Sequence, residues 1–145
     1  MNDWLVVDAS VIIKAFVAEE GSAQADLIWS SESLLAVPAH ALAEVGEALR
    51  RKRVRGEITE EQLSEICLGM PGSFLTISLD DLFAAAMEIA RQVPIGFYDC
   101  LYLASAERLD CSLVTADAKL VSAAARSIWQ PRILPLSVYE AESAG

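Results

Sequence analysis

Residues 4–13 read WLVVDASVII, in which a short apolar run from Trp4 to Val7 ends at Asp8. From Ser10 to Ala18 the apolar residues then recur with helical spacing on nearly all sides. The stretch therefore predicts a buried strand followed directly by a buried helix, which is a unit of α/β folds.

Four later apolar segments continue this alternation of strand and helix. The predicted strands are at Leu34–Val37, Phe74–Ile77, Ser112–Thr115 and near Ile133. Between them lie segments with helical spacing, among them about 39–53 and a helix that Thr59 opens with a capping box. Strands that alternate with helices predict an α/β fold in which helices cover both faces of a mostly parallel sheet.

Size and composition predict one compact domain. The chain has 145 residues, of which 54% are hydrophobic, and we expect a single domain over residues 1–140 and a loose tail over 141–145. No apolar run approaches the roughly 20 residues of a membrane span, and the start lacks a secretory signal, so a cytoplasmic protein is expected. The cysteines, which show no C-x-x-C pairing, are expected to be reduced core residues: Cys67, Cys100 and Cys111.

The charge balance restricts the nucleic-acid partners that the chain can have. Eleven basic and 21 acidic residues give a formal net charge of −10. This charge argues against binding through a broad electropositive face. A nucleic-acid ligand is compatible with it only if cations neutralise a local concentration of acid, or if a basic partner supplies positive charge.

Four acidic residues are predicted to meet at one edge of the sheet. Asp8 ends the first strand, Asp117 follows the fourth, and Asp99 opens a helix. Because parallel strands end at the same edge, separated acids after different strands converge there. Glu44 comes six residues after Pro38, which closes the second strand, so it lies within about 10 Å of that edge.

Oxygen ligands of this kind select hard cations. Mg²⁺ or Mn²⁺ held by carboxylates commonly activates water against a phosphodiester. The single histidine, His40, cannot form a zinc site alone. Ser10 and Thr115 each lie two residues from a proposed acid, where a hydroxyl can orient a carboxylate. The alternative for the aspartates is helix capping, and the alternative for Glu44 is a solvated helix face.

Four short motifs in this order resemble those of the PIN-domain ribonucleases, and most closely those of VapC-type toxins of prokaryotic toxin–antitoxin pairs. The resemblance covers nearly the whole chain. The motifs are Val7-Asp8-Ala9-Ser10-Val11, then Pro38 with Glu44-Val45 and Ala48-Leu49-Arg50, then Tyr98-Asp99-Cys100-Leu101-Tyr102-Leu103-Ala104, and Leu113-Val114-Thr115-Ala116-Asp117 with Lys119-Leu120.

The resemblance implies a PIN-like three-layer α/β/α sandwich and a metal-dependent endoribonuclease that acts as the toxin of a type II pair. It implies that Asp8, Asp99 and Asp117 bind Mg²⁺ or Mn²⁺, that Glu44 completes the site, and that Ser10 and Thr115 support it. The implied partners are RNA, a cognate antitoxin and a second copy of the chain. Two departures are Cys100, where the family usually has alanine, and Glu47, which is a second candidate for the glutamate that faces the metal. Glu44 is favoured because its spacing from Pro38 and its neighbour Val45 match the family.

A basic cluster follows the helix that carries Glu44, and its members are Arg50, Arg51, Lys52, Arg53 and Arg55. Arg50, Arg51 and Arg53 are candidates for contact with RNA phosphates. The alternative is that cations in the last turn of a helix stabilise its macrodipole.

Two other functions fit parts of the sequence. A receiver-type phosphoacceptor domain also gathers aspartates, a threonine and a lysine at a sheet edge, with Thr115 and Lys119 in the last two roles, but no aspartate ends the middle strand. A catalytically silent interaction domain would use the acids only as helix caps, and it predicts no binding of divalent metal.

Overall fold

Five short strands form a parallel sheet in the computed structural model, which describes residues 3–139. The strands are β1 (Trp4–Val7), β2 (Leu34–Pro38), β3 (Leu75–Ile77), β4 (Ser112–Thr115) and β5 (Ile133–Pro135). Their order across the sheet is β3-β2-β1-β4-β5, and every neighbouring pair is parallel. All five carboxyl ends therefore lie at one edge, and β1 is the central strand.

The helices are α1 (Ala9–Phe16), α2 (Ser22–Ser30), α3 (Ala41–Val54), α4 (Glu60–Gly69), α5 (Leu79–Gln92), α6 (Phe97–Leu109) and α7 (Ala118–Ala123). Helix α1 packs beside α2 and α3 and against β4, whereas α6 packs on β1, β2 and β4 and beside α5. The chain adds β2 and β3 on one side of β1, then crosses to the other side of β1 to form β4 and β5. The predicted α/β fold, with helices layered on a parallel sheet, is confirmed.

The core is centred on β1 and β4 and on the helices that cover them. Val6 and Val7 of β1 and Leu113 and Val114 of β4 have no exposed surface. Helix α6 is buried without interruption over residues 100–106. The edge formed by the ends of β1 and β4 is consequently anchored in the close-packed core.

One local prediction is confirmed and two are wrong. The capping box at Thr59 is present, with Gln62 as its reciprocal partner. Helix α6 begins at Phe97, two residues before Asp99, because Gly96 supplies the extended N-cap residue. All three cysteines are free, but Cys67 is exposed and is not a core residue.

The proposed domain boundary at residue 140 and the tail over 141–145 lie outside the described residues. Within residues 3–139, the structure contains no helix that is both long enough and apolar enough to span a bilayer.

Candidate active site at the carboxyl edge of the sheet

Asp8 lies directly after the central strand and is 5% exposed. It caps α1, since its Oδ1 accepts a hydrogen bond from the Val11 N–H at 3.2 Å. The Ser10 hydroxyl donates to the same oxygen at 2.5 Å, and the Thr115 hydroxyl donates to Oδ2. Burial raises the pKa of Asp8, the three donors oppose this effect, and the charge of Asp117 raises the pKa further.

Asp117 is joined to Asp8 through Thr115. The backbone N–H of Asp117 donates to Thr115 Oγ1 at 3.0 Å, and the same hydroxyl donates to Asp8. Asp117 also caps α7 by accepting from the Lys119 N–H at 2.9 Å. Ser10 makes a second link between the ends of β1 and β4, because its Oγ accepts from the Ala116 N–H at 3.2 Å. Both hydroxyls therefore donate to the carboxylate of Asp8 and link the ends of β1 and β4.

Glu44 reaches the edge from the first turn of α3. The hydroxyl of Tyr102, which is 1% exposed, donates to Glu44 Oε1 at 2.9 Å. His40 Nε2 lies 3.0 Å from the same oxygen, which is an ion-pair distance, although neither nitrogen of the buried ring makes a well-oriented hydrogen bond within the described chain. Burial raises the pKa of Glu44, but His40 and Tyr102 outweigh it, so the pKa is lowered overall.

Asp99 interacts electrostatically with the other three acids. It lies in the first turn of α6, half-buried, and its pKa is raised to about 6. Burial is the largest cause, followed by the charges of Asp117, Asp8 and Glu44, and His40 offsets part of the rise. The side chains thus share one field although they come from four separate elements.

The structure identifies Glu44, rather than Glu47, as the glutamate that belongs to this group. Glu47 is exposed and forms an ion pair with Arg50 on the next turn. Glu44 instead turns toward α6, where it contacts Tyr102 and raises the pKa of Asp99.

Helix capping accounts for part of this arrangement but not for all of it. Asp8 and Asp117 are both N-caps, as the alternative interpretation predicted. Asp99 is not, because the N-cap of α6 is Gly96 and that helix has no side-chain cap. A negative charge in the first turn of α6 favours the helix dipole, but this effect does not require a half-buried carboxylate with a raised pKa.

Two residues of the site were not predicted as members of it. Tyr102 follows Asp99 by three residues and so shares a face of the same helix. His40 precedes Glu44 by four residues and so lies one helical turn before it. This spacing was visible in the sequence. The contact between α3 and α6 that brings these pairs together was not.

The donors suit a hard divalent cation, but they do not form a closed cage. In the part of the chain that the structure covers, no three Asp, Glu, His or Cys side chains converge as a ready-made metal site. Carboxylates that have no cation between them repel one another, which is consistent with an open arrangement. The chemistry of the donor set, carboxylate oxygens supported by hydroxyls, fits Mg²⁺ or Mn²⁺.

The basic cluster at the end of α3 is largely engaged with acidic side chains. Arg50 pairs with Glu47, Arg53 Nε lies 2.6 Å from a carboxylate oxygen of Glu60, and Lys52 Nζ lies 3.0 Å from one of Glu19. Arg51 is exposed. It follows Glu44 by seven residues, almost two full turns, and so extends from the same face of α3.

A groove continues from the acids across the end of β5, and we call it the β5 groove. Its volume is about 700 Å³. The residues that line it include Lys14, Gln24, Asp117, Ser122, Leu136 and Ser137. Asp117 is the one of the four acids that lines this groove, so the groove begins at the Asp117 side of the group.

Comparison with known proteins agrees with this geometry. The family model described as PIN domain matches residues 5–126, a range that contains all four acids. Ribonuclease VapC1 of Mycobacterium tuberculosis is 34% identical over 123 residues, which cover 83% of this chain and 91% of that protein. Ribonuclease VapC3 of Pyrobaculum aerophilum is 31% identical over 119 residues, which cover 80% of this chain and 91% of that protein.

A solved structure, a toxin–antitoxin complex from Klebsiella pneumoniae, is similar to this chain with a TM-score of 0.65 at 18% identity. The similarity covers 94% of this chain and 98% of that chain, and at this identity it concerns the fold alone. The family match extends from β1 through α7, which are the elements that build the carboxylate edge. The chain belongs to the PIN-domain family.

Proposed function

We propose that this protein is a metal-dependent endoribonuclease that hydrolyses RNA phosphodiesters at the carboxylate edge. One observation carries the proposal: Asp99, which caps no helix, has a pKa of about 6 because it is half-buried beside Asp117, Asp8 and Glu44. Residues that share a perturbing field in this way are typical of functional sites. The sequence relatives named as ribonucleases support the same activity.

In this proposal Asp8, Asp99 and Asp117 hold Mg²⁺ or Mn²⁺, and Glu44 completes the site. When bound, the cation supplies activation of a water and neutralisation of charge at the phosphate. Ser10 and Thr115 fix the two carboxylate oxygens of Asp8, so this ligand is oriented before any cation arrives.

Glu44 and Asp99 differ in protonation state, because their pKa values are shifted in opposite directions. The lowered pKa of Glu44 keeps it ionised at neutral pH, so it can accept a proton from an attacking water. Asp99 retains part of its proton near pH 6 when its neighbours are uncompensated. Asp99 therefore releases that proton when the site is loaded, and cation affinity falls as the pH falls below 6.

Arginines of the basic cluster would guide the RNA backbone. Among Arg50, Arg51 and Arg53, Arg51 is the strongest candidate because it shares the face of Glu44. It lies about 10 Å along the helix from Glu44, a distance within reach of a nearby phosphate. Arg53 extends from the opposite face of α3 and pairs with Glu60, and Arg50 is paired with Glu47.

We further propose that the protein is the toxin of a type II toxin–antitoxin pair that acts on RNA in the cytoplasm. The VapC relatives and the toxin–antitoxin complex with the same fold support this assignment. The net charge of −10 suits a basic antitoxin segment that covers the acidic edge.

A homodimer is proposed as the assembled form. Leu79, Phe83 and Met87 recur every four residues on α5 and are exposed, while the adjoining face of that helix, with Leu82, Ala86 and Ile89, is buried in the core. An exposed apolar stripe on a helix is a common self-association surface.

The test is RNA cleavage by the purified protein in Mg²⁺ or Mn²⁺. Asp8→Asn preserves the shape of the side chain but removes a charge from the buried centre of the site, and we expect a loss of activity of about a hundredfold or more. Asp80→Asn is the matched control, since Asp80 is an exposed aspartate in the first turn of α5. Equal cleavage by Asp8→Asn and wild type would mean that the acids are not the active site.

The other two functions make different predictions. A receiver domain needs an acceptor aspartate after the third strand of the chain, whereas β3 lies at the edge of this sheet and leads into Ser78. Membership of the PIN-domain family also argues against that function. A silent interaction domain would cut no RNA in any divalent cation.

A further inference from the structure

Tyr98 presents an aromatic ring to solvent immediately beside the acids. The residue is 63% exposed, and its ring stacks on that of His40 with a centroid separation of 5.2 Å and an interplanar angle of 19°. The side chain of His40 is only 8% exposed and lies 3.0 Å from Glu44. Tyr98 is thus an exposed ring supported from below by a buried one.

The sheet determines where this pair lies relative to the acids. His40 follows the end of β2, Asp8 follows β1, Asp117 follows β4, and the β5 groove lies beyond β4. Adjacent strands are about 4.8 Å apart. The order along the carboxyl edge is therefore aromatic pair, acids and groove, so an extended strand of nucleic acid whose phosphate lies at the acids has a neighbouring nucleotide over Tyr98.

We propose that Tyr98 is a stacking platform for one base of single-stranded RNA next to the phosphodiester that is cut. The inference rests on the proposed function, and it deepens it by naming a second contact with the substrate. Bases of single-stranded RNA stack on aromatic side chains, and because every base has a π face this contact tolerates any sequence. Cleavage of RNA therefore requires that the base over Tyr98 be unpaired, but it does not require a particular base.

A purely structural role does not account for Tyr98. Tyr102, one turn later on α6, is the tyrosine that fills the core and bonds to Glu44. Tyr98 contributes little buried surface, and most of its ring remains in water where an aromatic residue gains little. In an acidic protein, stacking also supplies affinity that does not depend on positive charge.

The experiment is a double-mutant cycle between the ring and the base. The cleavage site of wild type is first mapped on a short single-stranded RNA, and the same RNA is then made with an abasic nucleotide at each position near that site. We expect one flanking abasic position to lower kcat/KM of wild type about tenfold, mainly through KM.

On intact RNA, Tyr98→Leu should lose the same factor of about ten, and on the critical abasic RNA it should lose nothing more. Tyr98→Phe retains a ring and should restore most of the activity that Tyr98→Leu loses. Leu68→Ala is the control for loss of exposed apolar surface, since Leu68 is 89% exposed on α4. Melting curves of each variant check that the fold is retained.

The inference is overturned if Tyr98→Leu cleaves intact RNA like wild type. It is also overturned if kcat/KM of Tyr98→Leu on the abasic RNA falls by the product of the two separate factors, because the ring and the base would then act independently. A Tyr98→Leu variant that weakens only antitoxin binding also overturns it and identifies the ring as a protein contact. In those cases wild type still cuts RNA and the proposed function stands. If wild type cuts no RNA, both the function and the stacking site are rejected.

Discussion

Asp99 is the residue on which the charges of the other three acids act, and its pKa of about 6 predicts how the stability of the metal-free protein depends on pH. Because this pKa lies above the ordinary value of 3.8, the folded state holds the proton more tightly than the unfolded chain. The stabilising contribution is present below about pH 4, and it is lost as the pH rises through 6.

Asp99→Asn should therefore stabilise the metal-free protein. The substitution removes a repelled charge, and in EDTA at pH 7.5 the variant should melt a few degrees above wild type. The difference should shrink toward zero as the pH falls to about 4, where Asp99 is protonated anyway. Melting curves in EDTA over this pH range provide the test. A variant that melts below wild type at pH 7.5 would identify Asp99 as a structural residue.

The hydrogen bond from Tyr102 to Glu44 predicts a positioning role for a buried hydroxyl. Tyr102→Phe keeps the ring in the core but frees Glu44 Oε1 of its donor. We expect kcat for RNA cleavage to fall about tenfold with a smaller change in KM, and the free energy of unfolding to fall by about 1–2 kcal/mol. The pKa of Glu44 should rise, which shifts the acid limb of the pH–rate profile upward.

Tyr139→Phe is the matched control for this experiment. The Tyr139 hydroxyl is also buried, but it has no hydrogen-bond partner among residues 3–139, so its removal should leave stability unchanged or slightly increased. If Tyr102→Phe behaves like Tyr139→Phe in both kcat and stability, the bond to Glu44 has no function.

The positions of the acids could be predicted from the sequence, but their hydrogen-bond partners could not. Asp8 and Asp117 follow strands, and the parallel sheet then requires that they lie at one edge. The partner of Glu44 depends on how α3 and α6 pack, and no local pattern around His40 or Tyr102 carries that information. The sequence alone left Glu47 as an alternative for the same reason.

At the scale of secondary structure, the predictions were best where cap residues mark an element. The capping box fixed the start of α4, and Asp8 marks the junction of β1 and α1. The start of α6 was misplaced because that helix is apolar on nearly all sides, so its periodicity gives no boundary, and Gly96 is a weak N-cap signal. The order of the five strands was not predictable, since it depends on long-range pairing.

Helix α3 supplies a prediction about RNA affinity. Arg51→Gln should raise KM for RNA about threefold and reduce the salt dependence of binding by about one phosphate contact, because among Arg50, Arg51 and Arg53 only Arg51 shares the face of Glu44. Arg53→Gln, on the opposite face of α3, should have little effect. Arg91→Gln, which removes an exposed arginine paired with Glu88 on α5, is the control.

Binding at several salt concentrations with the inactive Asp8→Asn protein separates this effect from catalysis. Equal losses for Arg51→Gln, Arg53→Gln and Arg91→Gln would indicate a general effect of charge, and the macrodipole interpretation of the cluster would then suffice.

For the whole molecule, the exposed stripe on α5 predicts the assembly. Light scattering should report a dimer at micromolar concentration, and Phe83→Glu should convert it to a monomer because a charge cannot be buried unpaired in an apolar interface. Leu68→Glu, which adds the same charge on α4, should remain dimeric. A wild-type monomer, both alone and with its antitoxin, would reject the homodimer.

The central claim, that four carboxylates from separate elements form one coupled cation site, is tested most directly by calorimetric titration of the metal-free protein with Mn²⁺ at pH 6. Titrations in buffers of different ionisation enthalpy report both the affinity and the protons released. Because the pKa of Asp99 is about 6, wild type should bind Mn²⁺ and release protons, whereas Asp99→Asn should bind more weakly and release about half a proton fewer. No binding by wild type, or equal affinity and equal proton release by Asp99→Asn, would contradict the account.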